Sequence, residues 1–160
     1  MPANFVKGDV LTEAMQGADA RAFAFPADCS GTMDTGIAVA VRQRWPAMAE
    51  AFRAHAEGGK MQLGEVFTWR EGDFAIHALG IQKGGVKPKI SSVERALETA
   101  IQRTHEARMV RLLVPRFGGG KTGLDWMRVK RVLSEAAASR PVDVVVFEQF
   151  VRTQAAAPES

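Results

Sequence analysis

The chain has 160 residues, 46% hydrophobic and 24% charged, with a net charge of +3; this fits one domain that buries roughly 68–70% of its unfolded surface. The positive charge is scattered, with no run of five or six basic residues; it suits an anionic ligand and shows no nucleic-acid stripe. A single cysteine, Cys29, excludes an intramolecular disulfide and a thiolate zinc cluster, no stretch reaches the ~18 apolar residues of a membrane span, and MPANFVKGDV lacks the apolar core of a signal peptide, so a reducing, cytoplasmic setting is expected.

Taken in chain order, a first strand is expected near Asn4–Lys7, ending at Gly8-Asp9, and a short buried strand at Arg21–Pro26. After the loop DCSGTMDTG, apolar residues recur at helical spacing (Ile37, Val41, Trp45, Met48, Phe52), with Pro46 expected to kink or split the helix and Gly58-Gly59 to end it. Leu63–Trp69 and Phe74–Ile81 read as strands joined by a hairpin turn, REGD. Ser91 with Glu94 three residues later reads as a capping box opening a helix to about Glu106. A strand at Val110–Val114, a helix from about Asp125 to Ala138 and a strand at Val142–Phe147 follow. The second half alternates helix and strand, which implies parallel strands with crossover helices, and the hairpin adds an antiparallel part. The expected fold is α/β: three α/β/α layers around a mixed, mostly parallel sheet of about six strands. Residues 1–150 are expected to form one domain and 151–160 a disordered tail.

Two glycine-bearing loops each follow a strand, where open α/β sheets place their ligand crevice. PRFGGGKTGLDW, residues 115–126, resembles a phosphate-binding P-loop, but the first glycine of G-x-x-x-x-G-K-[ST] would fall on Pro115. What remains is physical: Gly118, Gly119, Gly120 and Gly123 lie between a strand and a helix, so backbone amides and a helix N-terminus can meet an anion. A tight turn with no ligand is the plainer alternative. DCSGTMDTGIA, 28 to 38, repeats this logic with Gly31 and Gly36. Two such loops on one crevice suit a diphosphate.

Gly8-Asp9 near the N-terminus, M-x-x-G-I-A from Met33 to Ala38, and P-R-x-G-x-G-x-x-x-L-x-W from Pro115 to Trp126 together resemble a macrodomain. Within that family the chain resembles the branch holding the terminal ADP-ribose protein glycohydrolase and the DNA ADP-ribosyl glycohydrolase antitoxins; IQKGGVKPKISSVERAL matches that branch's lysine loop. The resemblance implies ADP-ribose as ligand, no metal or other cofactor, and removal of mono-ADP-ribose from protein or nucleic acid. It implies that Asp9 accepts from the adenine amino group beside the Val10 amide. The loop from Asp28 to Ala38 (Gly31, Met33, Thr35, Gly36, Ile37 and Ala38 among its ligand contacts) would wrap the distal ribose and one phosphate. Phe117, Gly118, Gly119, Gly120, Lys121, Thr122, Gly123 and Leu124 would cradle the diphosphate, and Lys83 would be the nucleophile at the distal ribose. The chain departs from the family pattern where Asp34 replaces a glycine, Asp28 an asparagine or serine, and Thr122 the acid of the protein glycohydrolase.

Several residues keep two readings. Lys83 is the nucleophile or a solvated charge beside Lys87 and Lys89. Asp28 and Asp34 are acids of the ribose site or loop caps. Asp125 is a catalytic acid or simply opens its helix. Arg116 pairs with phosphate or lies on the surface, and Phe117 closes over the ribose. His77, inside a strand, is expected to be a satisfied core histidine, and Cys29 a packed thiol. A monomer is expected, acting as a hydrolase or as a non-catalytic ADP-ribose reader.

Overall fold

The computed structural model describes residues 3–34, 36–117 and 123–150, the last two by backbone alone. The expected tail at 151–160, Thr35, and Gly118 through Thr122 lie outside the described residues. The elements in order are β1 (Asn4–Gly8), α1 (Val10–Gln16), β2 (Arg21–Asp28), α2 (Ile37–Arg44), α3 (Pro46–Ala56), β3 (Val66–Glu71), β4 (Phe74–Gln82), α4 (Ile90–Glu106), β5 (Arg111–Pro115), α5 (Trp126–Ala137) and β6 (Asp143–Phe150).

The strands form one six-stranded sheet in the order β1-β6-β5-β2-β4-β3. Only the β3–β4 hairpin is antiparallel; the other pairs are parallel. Side chains alternate across it with period two. Ala22 and Ala24 of β2, Leu112 and Val114 of β5 and Val144 and Val146 of β6 face α4 and α5. Phe23, Phe25, Leu113 and Phe147 face α1, α2 and α3 on the other side. Both faces are covered, which is why the central strands are apolar almost throughout.

β2 and β5 pair only from Arg21–Phe23 to Arg111–Leu113. Beyond that point β2 stays joined to β4 as far as Asp28, and β5 to β6 as far as Pro115. The sheet therefore opens between its two central strands at their carboxyl ends, where the chain's connections diverge to either side.

Three local features differ from the elements expected from the sequence, and a fourth agrees. α1 is a helix where none was expected. Asp9 caps it, its Oδ1 accepting from the amides of Leu11 at 3.2 Å and Thr12 at 3.3 Å. α4 starts one residue before Ser91, with Lys89 at the N-cap and no side-chain capping bond. The capping box is not formed: Ser91 is exposed and Ser92 is buried in the helix face. Residues 63–65 are not strand, although Gly64 and Glu65 exchange backbone bonds of 2.8 Å with Gly80. Pro46 acts as expected by splitting the helical run, and it does so as the first residue of α3.

Candidate functional site

The open end of the sheet carries two separate hollows. The first, about 530 Å³, lies where β1, β5 and β6 end, and Asp9, Val10, Ile37, Arg116, Phe147 and Glu148 are among its walls. Phe147 supplies an aromatic surface whose ring crowds the backbone of Gly8; a Cβ on that glycine would sit 3.1 Å from it. Val10, as the first residue of α1, has an amide with no intrahelical partner. An acid, an amide and an aromatic wall in one apolar hollow suit a planar base bearing an amino group.

The second hollow, about 280 Å³, lies where β2 and β4 end side by side. Asp28, Cys29 and Ser30 line it from β2 and its loop, Gly58, Gly59 and Met61 from the segment after α3, and Lys83 and Gly84 from the end of β4. Asp28 is both a loop cap and a wall of this cavity: its Oδ1 accepts from the amide of Ser30 at 2.9 Å. The two readings of Asp28 are therefore compatible. The ammonium of Lys83 is exposed and donates to Oε1 of Gln62 at 3.2 Å. The Cys29 thiol is buried and pushed up to about 11 by desolvation first and by the Asp28 charge next, so it is a packed thiol at ordinary pH.

Between the hollows runs the loop from Cys29 to Gly36. Gly31 has φ +86°, and a Cβ there would meet both the Ala56 side chain and the Arg53 backbone at 3.0 Å, so this position requires glycine. Gly36, at φ +60°, opens α2, and among the described residues no side chain makes a capping hydrogen bond to that helix start. Met33 and Ala38 are buried, and the Met33 carbonyl is held by Arg42 Nε at 3.1 Å. Asp34 is exposed and lines a third cavity of about 470 Å³ with Arg42 and Arg53, away from Lys83.

The other loop is described at its two ends. Arg116 lies over the Trp126 ring at 5.2 Å and reaches the first hollow. Phe117 and Leu124 are buried in the α4–α5 core, Phe117 edge-on to Trp126. The aromatic ring expected to close over the ribose is thus turned into the protein. Gly123 lies beside Pro88, which brings this loop next to the Lys83 loop. Asp125 is exposed and caps α5 by accepting from the Met127 amide at 3.1 Å; it does not share the Lys83 cavity.

Two residues beyond those expected from the sequence bear on this region, Glu148 and Gln62. Glu148 accepts from Trp126 Nε1 at 3.0 Å and from Lys130 Nζ at 2.9 Å, bonds that hold its carboxyl below the ordinary range. Its position directly after the apolar run VDVVVF was the available signal. Gln62 gave none, because its importance depends on a partner 21 residues away. Among the described residues, no three histidine, cysteine, aspartate or glutamate side chains converge as metal ligands would.

The fold and its crevice define a three-layer α/β/α domain whose central parallel strands part at their carboxyl ends, and the family follows. The chain belongs to the Macro domain family, whose model matches residues 25–133. It is similar to the DNA ADP-ribosyl glycohydrolase of Thermus aquaticus, at 29% identity over 150 residues, covering 90% of this chain. It spans only 40% of that relative's length. It is also similar to the human ADP-ribose glycohydrolase OARD1, at 22% identity, covering 89% of each chain. Among solved structures, the macrodomain of Thermus aquaticus DarG superposes with a TM-score of 0.78 at 26% identity, covering 91% of this chain and 97% of that one.

Proposed function

We propose that the chain binds ADP-ribose along the crevice and hydrolyses mono-ADP-ribose from modified targets. The adenine lies against Asp9, Val10 and Phe147, the diphosphate runs past the open N-terminus of α2 and the 117–124 loop, and the distal ribose meets Lys83. The observation that carries this reading is the shared cavity of Asp28 and Lys83, one loop away from a base-sized hollow. An amine beside a carboxylate is a nucleophile beside a general base. Lys83 attacks the anomeric carbon of the distal ribose, and the target leaves with the bonding electrons. Asp28 then takes a proton from the water that releases the adduct, which restores the amine. Asp34 and Asp125 stand apart from this pair, so Asp28 is the assisting acid in this reading. Acidic protein side chains are the favoured attachment point, with a nucleobase the other. Residues 1–150 act as one domain and one copy, and a single buried cysteine suits the reducing cytoplasm.

The test is to present glutamate-linked and thymidine-linked ADP-ribose separately and measure free ADP-ribose. The parent protein releases it from at least one of the two. Lys83→Ala lowers the rate at least ~100-fold while leaving affinity for free ADP-ribose nearly intact. Tight binding with no release from either substrate would make the chain a reader instead.

A further inference from the structure

Resting on that reading, we infer that Gln62 is the positioning residue of Lys83: a neutral acceptor that aims the amine over the Asp28 cavity. Three hydrogen bonds fix it. Its backbone amide donates to Glu65 Oε1 at 2.8 Å. Its Nε2 donates to the Gly59 carbonyl at 3.0 Å, which settles the orientation of the amide group. Only the Oε1 end is then left toward Lys83, and it accepts from Nζ at 3.2 Å.

The segment that carries Gln62 is itself tied to the strand that carries Lys83. Met61 is buried, and the Gly64 and Glu65 backbone bonds to Gly80 anchor the segment to β4. A Cβ on Gly80 would collide with the Glu65 carbonyl at 2.9 Å, so the segment seats only because this position is glycine. Lys83 follows Gly80 by three residues, just past the end of β4, and is held there by a bridge to Val86. Acceptor and amine are thus referred to one rigid element, as a group placed for chemistry needs to be.

The chemical choice of glutamine is informative. A carboxylate at this point would favour the ammonium form and oppose nucleophilic attack, whereas an amide oxygen orients the amine without adding charge. The titratable groups that share the amine's cavity are Asp28 and Cys29, at and just past the end of β2; Glu65, from the Gln62 segment, acts on the same Cys29 thiol, and Lys87 and Lys89 follow Lys83 in sequence.

The experiment compares Gln62→Leu, Gln62→Glu and Lys83→Ala with the parent, reading kcat and KM against pH on the ADP-ribosylated substrate. Trace acetylation of Lys83 by acetic anhydride, followed by peptide mass spectrometry, gives a readout independent of turnover. Gln62 is exposed, and circular dichroism confirms that the variants fold. Gln62→Leu is expected to lower kcat about tenfold with KM within about twofold, the pattern of a misaimed group. Gln62→Glu is expected to move the acidic limb of the profile, and the onset of Lys83 acetylation, upward by about one pH unit. A Gln62→Leu protein with the parental kcat, or Gln62→Glu curves that superpose on the parental ones, overturns the inference. An active Lys83→Ala protein sinks the nucleophile reading itself; an inactive one beside an unaltered Gln62→Leu sinks only the role of Gln62.

Discussion

His77 shows how one residue's chemistry can be fixed by its neighbours. It is 1% exposed, with Nδ1 2.8 Å from Thr68 Oγ1 and Nε2 3.0 Å from Thr104 Oγ1. The Thr104 hydroxyl gives its own proton to the Ala100 carbonyl at 2.7 Å, so it accepts from His77 Nε2–H. Nδ1 is then the acceptor for the Thr68 hydroxyl, whose oxygen also accepts from Arg103. The ring is satisfied only when neutral. Burial, then the Arg103 charge, push its pKa from 6.5 down to about 3. The unfolded chain takes up this proton near pH 6.5 and the folded chain only near 3, so the stabilisation is full above 6.5 and drains away as pH falls between the two. Urea unfolding is expected to show stability falling below pH 6.5 with a slope approaching 1.4 kcal/mol per unit at most, that is roughly RT ln 10 for one proton. His77→Gln should flatten that part of the curve. The strand position of His77 made a packed histidine legible from the sequence; its two threonine partners were not, because the longer contact spans 27 residues.

At the scale of elements, the sequence was read well where periodicity ran long and poorly where it was short. α5 and the divided α2–α3 run declared themselves by apolar spacing and by Pro46. α1 is only seven residues, less than two full turns, and follows Gly8-Asp9, which reads equally well as a turn. Its formation rests on tertiary packing of Val10, Leu11 and Ala14 and on the Asp9 cap. Ser91 failed for a related reason: burial of Ser92 and Val93 set the start of α4, and local capping did not. Asp9 consequently serves a helix and, in the proposed reading, a ligand, and the two roles separate. Asp9→Ala should cost about 1 kcal/mol of stability through the lost cap as well as weaken ADP-ribose binding. Asp9→Asn should stay within a few tenths of the parent in stability, yet lose affinity because a charged acceptor is gone. Thermal unfolding and calorimetry on the two variants decide this.

For the whole molecule, the mixed three-layer class and the crevice at the strands' carboxyl ends were legible from the alternation of elements, whereas the spatial order β1-β6-β5-β2-β4-β3 was not. The candidate site was legible only in part. Lys83 and Asp28 line one cavity because both stand at strand ends, whereas Asp34 lines another cavity and Asp125 caps α5, since loop residues carry no register to place them. A ligand that spans the crevice engages elements from both halves of the sheet, so its binding stabilises the whole fold. Free ADP-ribose at a hundred times its Kd should raise unfolding free energy by about 2.7 kcal/mol. A thermal shift of several degrees is the expected reading for this size, and no shift would argue against the crevice as the binding site.

The short seam between β2 and β5 has one more consequence. Past Phe23 and Leu113, the rims of these strands that face each other have no strand across from them. The floor of the gap is therefore made of peptide groups, which every residue supplies alike. Its polarity belongs to the main chain and persists through replacement of nearly any side chain above it. Mutation can retune the walls of such a gap, and in the proposed reading the choice of target with them, while the main-chain surface offered to a diphosphate stays the same.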